Sequence, residues 1–205
     1  TGKIEFGLEG GYNRSWLSGI DEANGMGNFH LGFYFDILIK NDWYLNTGVR
    51  VKSSTGATKI NPYSLGDPEL DSVFVDGYVK RQIGYFYVPI HIKYRFSRQF
   101  FLNAGGQIGL RNSANDLFKN TYYDKDDVEF KYDIRSRITR IDAGLSGGVG
   151  YKFKGTGMNL GINYYYGLTD IDKLEGMDSK NSTFYIYVDI PIGAGYKDNK
   201  AAEKQ

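Results

Sequence analysis

Residues 158–168 alternate without a break: Met158, Leu160, Ile162, Tyr164, Tyr166 and Leu168 take one parity, and Asn159, Gly161, Asn163, Tyr165 and Gly167 take the other. Successive strand side chains leave opposite faces, so this segment predicts a strand with one apolar face and one polar or empty face. The same design recurs along the chain. A strand near 3–16 sets Ile4, Phe6, Leu8 and Tyr12 against Lys3, Glu5, Glu9 and Asn13. The next, near 27–40, sets Phe29, Leu31, Phe33, Phe35, Ile37 and Ile39 against Asn28, His30, Tyr34, Asp36 and Lys40. Near 43–52, Trp43, Leu45, Val49 and Val51 oppose Asn46, Arg50 and Lys52. Near 78–96, Phe86, Val88, Ile90, Ile92, Tyr94 and Phe96 oppose Tyr85, Tyr87, His91, Lys93 and Arg95. Pro89 cannot donate to a ladder, and its place in that run predicts a bulge. Strands near 99–111 and 137–153 follow, then the opening segment, then a last strand with Phe184, Ile186, Val188, Ile190, Ile192 and Ala194 against Tyr185, Tyr187 and Asp189.

These eight strands are joined by connections of alternating length. Asn41-Asp42, Ser97-Arg98-Gln99 and Lys154-Gly155-Thr156-Gly157 make tight turns, whereas 53–76, 112–136 and 169–182 are long, polar and rich in turn residues. Short turns on one side and long loops on the other are the arrangement of outer-membrane barrels, and a tilted strand of about ten residues spans a bilayer. Aromatic residues gather toward strand ends: Trp43, Phe96, Phe100, Tyr151 and Phe153 near the turns, Trp16, Tyr164 and Tyr166 toward the loops. Two such bands are the girdles expected at headgroup level. The pattern predicts an all-β, eight-stranded, antiparallel, up-and-down transmembrane β-barrel over 1–196. Residues 197–205 form a polar C-terminal tail. A lipocalin-like aqueous barrel, with the apolar face turned inward around a ligand, is the alternative.

Composition narrows the choice. The 205 residues include 27 glycines, 4 prolines and no cysteine, and 16% are aromatic. That mixture fits many strands and turns in one domain. No apolar run is long enough for a membrane-spanning helix. With 25 basic and 24 acidic residues, the net charge of +1 gives no general attraction to nucleic acid. Thr1-Gly2-Lys3-Ile4 lacks a secretory signal, as a mature chain from which the signal peptide has been removed would.

Several segments resemble the PorT-like outer-membrane β-barrel proteins of the Bacteroidetes. Tyr87-Val88-Pro89-Ile90-His91-Ile92-Lys93-Tyr94-Arg95-Phe96 is similar to that family's "Y-x-x-I-P-L-x-x-K-Y-R/K-F" stretch, although the family more often has an apolar residue where His91 stands. Ile141 to Phe153 resembles its "D-x-G-x-x-x-G-x-G-Y-x-F" strand, and Tyr164 to Ile171 its "Y-x-x-G-L-T-N-I" end. Phe6 to Gly11 is similar to its opening "F-G-x-K-G-G". The resemblance implies an eight-stranded barrel made with a signal peptide and inserted in the outer membrane, and an even strand count predicts both termini on the short-turn, periplasmic side. An accessory role in secretion is a specific version of what it implies. Such barrels commonly finish on an aromatic residue, whereas here Tyr196 is followed by Lys197 to Gln205.

Candidate chemistry is sparse. His30 and His91 are the two histidines, and no serine or acidic residue stands at a recognisable spacing from either. Inward parity instead groups His30, Asp36, Arg50, His91, Lys93, Arg140 and Asp142 into a lumen network whose opposite charges neutralise one another. No catalytic residue, metal or cofactor is expected. The acidic clusters Asp124, Asp126, Asp127, Glu129 and Asp170, Asp172, Glu175, Asp178 are interleaved with lysines and lack a calcium-loop pattern, which predicts solvated loops. The expected partners are outer-membrane lipid and, through the long loops, a protein. A narrow porin-like channel is the functional alternative, opposed by the many inward tyrosines.

Overall fold

A computed structural model of the chain describes residues 4–20, 23–122, 126–173 and 178–192. The C-terminal tail, Tyr196, Asp124 and Glu175 lie outside the described residues. Among the described residues nine strands run in chain order: β1 Ile4–Leu17, β2 Asn24–Lys40, β3 Trp43–Ile60, β4 Tyr78–Tyr94, β5 Phe100–Tyr122, β6 Asp126–Asp133, β7 Ile141–Lys152, β8 Asn159–Gly167 and β9 Asn181–Pro191. One helix, α1, covers Pro68–Phe74. All pairings are antiparallel, and β1 closes on β9 while β4 pairs β5, so eight strands form a ring and β6 stands outside it. Among the described residues no helix is long and apolar enough to cross a membrane; the crossing elements are strands.

The period-two pattern becomes the two faces of this ring. Phe33, Leu102, Ile108, Leu145, Ile162 and Ile190 are exposed on the outside, while the opposite parity is buried. An aqueous barrel with its apolar face inward is thereby overturned. Large inward rings find room where the neighbouring strand offers glycine. Tyr87 faces Gly109, Phe101 faces Gly150 and Tyr187 faces Gly161, and a Cβ at any of these glycines would lie 2.1–2.4 Å from the ring atoms. Glycine on a strand is costly by itself, and here the ring laid across it recovers buried area.

The tight turns follow local chemistry. Asn41 takes φ 52° between β2 and β3, and Gly155 and Gly157 take φ 85° and 70° between β7 and β8, the left-handed region that asparagine and glycine reach most easily. Pro89 does not mark a bulge. It pairs Gln107 in unbroken register, and its carbonyl accepts from the Thr47 hydroxyl at 2.8 Å.

The long loops are shorter than the polar composition predicts. Strand β3 continues through 53–60 and β5 through 112–122, and β6 folds back on β5 as an arm. Irregularities between Arg50 and Ser53 in β3, and around Asn112 in β5, shift the inward parity at those points. Beyond them the inward residues are Ser53, Thr55 and Ala57 on β3, and Ala114, Asp116 and Phe118 on β5. Loop 61–77 carries α1, whose first turn is capped by Asp67 accepting from Glu69 and Leu70 amides at 3.0 and 3.4 Å.

Candidate functional site

The ring encloses a filled lumen, and its contents change along the axis. Nearest the short turns, Lys93 Nζ donates to Asp36 Oδ2 at 2.6 Å, Asn46 donates to Asp36 Oδ1 at 2.7 Å, and Arg95 reaches the same carboxylate at 3.4 Å. Lys152 Nζ donates to Glu5 Oε2 at 2.5 Å. Further in, Arg50 Nε donates to Glu9 Oε1 at 2.5 Å and Arg50 Nη1 to Gln107 Oε1 at 2.7 Å, with the guanidinium 4.4 Å over the Tyr185 ring. His30 Nε2 lies 3.5 Å from Glu9 Oε1. Asp142 accepts from Tyr87 at 2.9 Å, Tyr165 at 2.8 Å and Asn181 at 3.0 Å. Three neutral donors around one buried carboxylate satisfy it without a cation.

Toward the loops the lumen becomes apolar. Leu17, Ile60, Phe74, Ile83, Phe118 and Ile138 belong to one buried cluster. Phe74 of α1 packs on Phe118 of β5, ring centroids 5.8 Å apart, so the helix is part of the cap. Within this cluster, between the levels of Ile83 and Phe118, Arg81 clasps Asp116 by two bonds of 2.7 and 2.9 Å and reaches Asp172 at 3.2 Å. Arg137 holds Asp172 from the other side at 2.8 Å. Tyr63 OH donates to Asp116 Oδ2 at 2.8 Å; burial, then that carboxylate, pushes the Tyr63 hydroxyl up and keeps it a donor. A recess of about 170 Å³ remains beside the cap, lined by Tyr63, Leu65, Leu70, Phe74, Val75 and Phe118.

Of the residues that inward parity groups together, His30, Asp36, Arg50, His91, Lys93 and Asp142 are buried in the lumen. They do not form one network: Asp36 and Lys93 pair near the turns, His30 and Arg50 meet at Glu9, and Asp142 sits nearer the loops among tyrosines. Arg140 is a correction. It is exposed, standing at the loop-side start of β7 where its carbonyl accepts from the Arg111 amide at 2.8 Å. Lys52 is another, turned out by the irregularity after Arg50. Asp172 is buried between two arginines, so that acidic cluster is not wholly solvated. Glu5, Glu9 and Lys152 complete the lumen pairs. The inward parity of both glutamates is visible in the sequence, but their partners lie far along the chain.

The fold brings His91 Nε2 against Ser146 Oγ, a contact no sequence spacing suggests, and Nδ1 to 3.3 Å from Asn46 Oδ1. Among the described residues no carboxylate bonds that ring, and both His91 and Ser146 are buried. Among the described residues no group of histidine, aspartate and glutamate is placed to hold a metal ion.

On the outer wall, Trp43 stacks near Tyr94 at 4.6 Å, and Phe96, Phe100, Tyr151 and Phe153 form a chain of ring contacts at 5.1–6.0 Å along the turn side. Trp16, Tyr164 and Tyr166 are exposed toward the loops.

One loop contact is set by a carboxylate. Asp71 accepts from the Ser64 hydroxyl at 2.5 Å and the Leu65 amide at 2.8 Å, and those bonds, in that order, hold its carboxyl below the usual range. A depressed carboxylate contributes fully above its unfolded value, near 4, and the contribution is lost as pH falls through the lower folded value. Exchange of the Leu65 amide, corrected for intrinsic pH dependence, is therefore expected to accelerate in strongly acidic buffer. Asp71→Asn should remove that pH dependence.

A closed antiparallel ring with an apolar exterior and a polar, filled interior defines a membrane-spanning β-barrel. The chain belongs to the outer membrane protein beta-barrel domain family, whose model matches residues 1–173. No curated protein sequence is a significant match. Among solved structures it is similar to Ail, the attachment invasion locus protein of Yersinia pestis, crystallised with the heparin analogue sucrose octasulfate: 12% identity, 93% of this chain, 99% of that chain and a TM-score of 0.50. It is also similar to Neisserial surface protein A, at 10% identity over 93% of this chain and 97% of that one, with a TM-score of 0.46. OprG of Pseudomonas aeruginosa gives 13% identity, 93% and 96% coverage and a TM-score of 0.42. At these identities the likeness is one of fold.

Proposed function

We propose that this barrel is a non-enzymatic anchor that holds a folded platform outside the outer membrane. The short turns and both termini face the periplasm, and the β5–β6 arm, α1 and the loop before β9 face the exterior and meet a protein partner. The resemblance to PorT-like proteins of the Bacteroidetes supports a role in secretion or envelope integrity. The observation that carries the reading is the apolar core within the loop-side end of the ring: Phe74, Ile83, Phe118 and Ile138 fill the place where a pore would open. A solute path is the competing reading, and conductance separates the two. Purified protein inserted into planar bilayers is expected to give no stable single-channel steps; well-resolved steps from folded, monodisperse protein would favour the narrow channel. Partner binding is tested by crosslinking and copurification from native membranes, with residues 61–77 deleted as the comparison.

A further inference from the structure

The recess beside the cap, about 170 Å³, is lined by Leu65, Leu70, Phe74, Val75 and Phe118 together with Tyr63. Phe74 and Phe118 are buried and Val75 is 67% exposed, so the recess runs from the cap to solvent. An apolar cavity of about 150 Å³ admits a benzene ring. This one therefore takes a single aromatic or branched aliphatic side chain.

Its walls are fixed before anything enters. Asp71 ties Ser64 and Leu65 to α1, the Asn120 side chain donates to the Val73 carbonyl at 2.7 Å, and Phe74 packs on Phe118. A recess held in this way loses little freedom when it is filled.

The charge around it has one sign. Residues 61–79 contain Asp67, Glu69, Asp71 and Asp76 and no lysine or arginine. Asp67 and Asp71 accept from backbone amides, whereas Glu69 and Asp76 are exposed and have no cation partner among the described residues. The neighbouring arm differs: there Glu129 pairs with Lys119 at 2.6 Å and Asp133 with Arg135 at 2.7 Å. An apolar recess with unpaired carboxylates beside it complements a surface that carries one apolar side chain between cations.

We propose that this recess binds a segment of a protein partner that presents an aromatic or branched aliphatic side chain flanked by lysine or arginine. The inference rests on the platform reading above and names the chemistry of its partner. Two other occupants are disfavoured by charge. A second copy docked through the same face would bring the two acidic segments together, and a fatty acid or anionic lipid would carry its own charge toward the same carboxylates.

The full chain in phosphatidylcholine nanodiscs, with its backbone amides assigned, is titrated with the capped pentapeptides Gly-Lys-Phe-Lys-Gly, Gly-Lys-Ala-Lys-Gly and Gly-Glu-Phe-Glu-Gly, and with decanoate. The lysine–phenylalanine peptide is expected to shift the Leu65, Leu70 and Val75 amides to saturation. The alanine peptide should bind at least about tenfold more weakly, the glutamate peptide at least about threefold more weakly, and decanoate more weakly than the first peptide. Glu69→Gln with Asp76→Asn, both at exposed positions, should cost the first peptide about threefold and remove most of its salt dependence. Val75→Arg should abolish the shifts while the amides of the ring strands keep their positions. No saturable shift, equal binding of the glutamate peptide, or an unaffected double variant would overturn the basic partner. Tighter binding of decanoate would overturn it in favour of a lipid, and self-association lost in Val75→Arg in favour of a second copy. A copurified partner lost on deletion of residues 61–77 but kept by Val75→Arg would leave the platform standing and sink the recess. Stable channel steps would overturn the platform and the recess with it.

Discussion

Replacing Arg50 with alanine is expected to cost the barrel about 3–5 kcal/mol, because it leaves the Glu9 carboxylate buried without its cation. Arg50 is the hub of its layer: it donates to Glu9 from β3 to β1, to Gln107 on β5, and lies over the Tyr185 ring of β9. Four strands of the ring therefore meet at one guanidinium. The companion variant Glu9→Gln with Arg50→Met removes both charges and keeps most of the volume, and it should recover the greater part of the loss. Equilibrium unfolding in urea, followed by tryptophan fluorescence and by the gel shift of the folded barrel, reads both variants. If the single variant matched the wild type, the pair would not contribute as its burial requires.

Phe118→Ala is expected to cost about 3–5 kcal/mol as well, in a different place. Its ring is buried against Tyr63 at 5.1 Å and Phe74 at 5.8 Å, so truncation opens a cavity between the arm and α1. The belt below does not share these contacts. Protease should therefore nick residues 61–77 much faster in the variant, while the ring keeps its heat-modifiable mobility. Loss of both together would show that cap and ring fold as one unit. An unchanged nicking rate would mean that α1 does not depend on this core.

How much of this was legible depends on whether a residue's neighbours are local. The faces of β8 and β9 could be read residue by residue, since Leu160, Ile162 and Tyr164 or Ile186 and Ile190 need only the pleat and an apolar exterior to define them. The extensions of β3 and β5 were not legible. Ser53 to Lys59 and Asn112 to Tyr122 stand beyond the apolar belt, where their outward positions no longer need to be apolar, so the alternation fades and the composition resembles a loop. Arg140 and Lys52 failed for a related reason. Parity holds only while the ladder is unbroken, and each lies where it begins or shifts.

The candidate site was less legible than the fold. The inward charges could be named, but not who meets whom: Arg50 and Glu9 are 41 positions apart, Arg81 and Asp172 are 91, and Lys152 and Glu5 are 147. By itself the sequence determined the alternation and the two unlike faces of each ring strand, because both follow from a two-residue period that every strand carries alone. Only the tertiary structure decided the closure of the ring, which face turns outward, the charge partners, the apolar cluster at the loop-side end and the exposure of Lys52 and Arg140. Those depend on closure and register, which bring distant strands to one level and are written in no single segment.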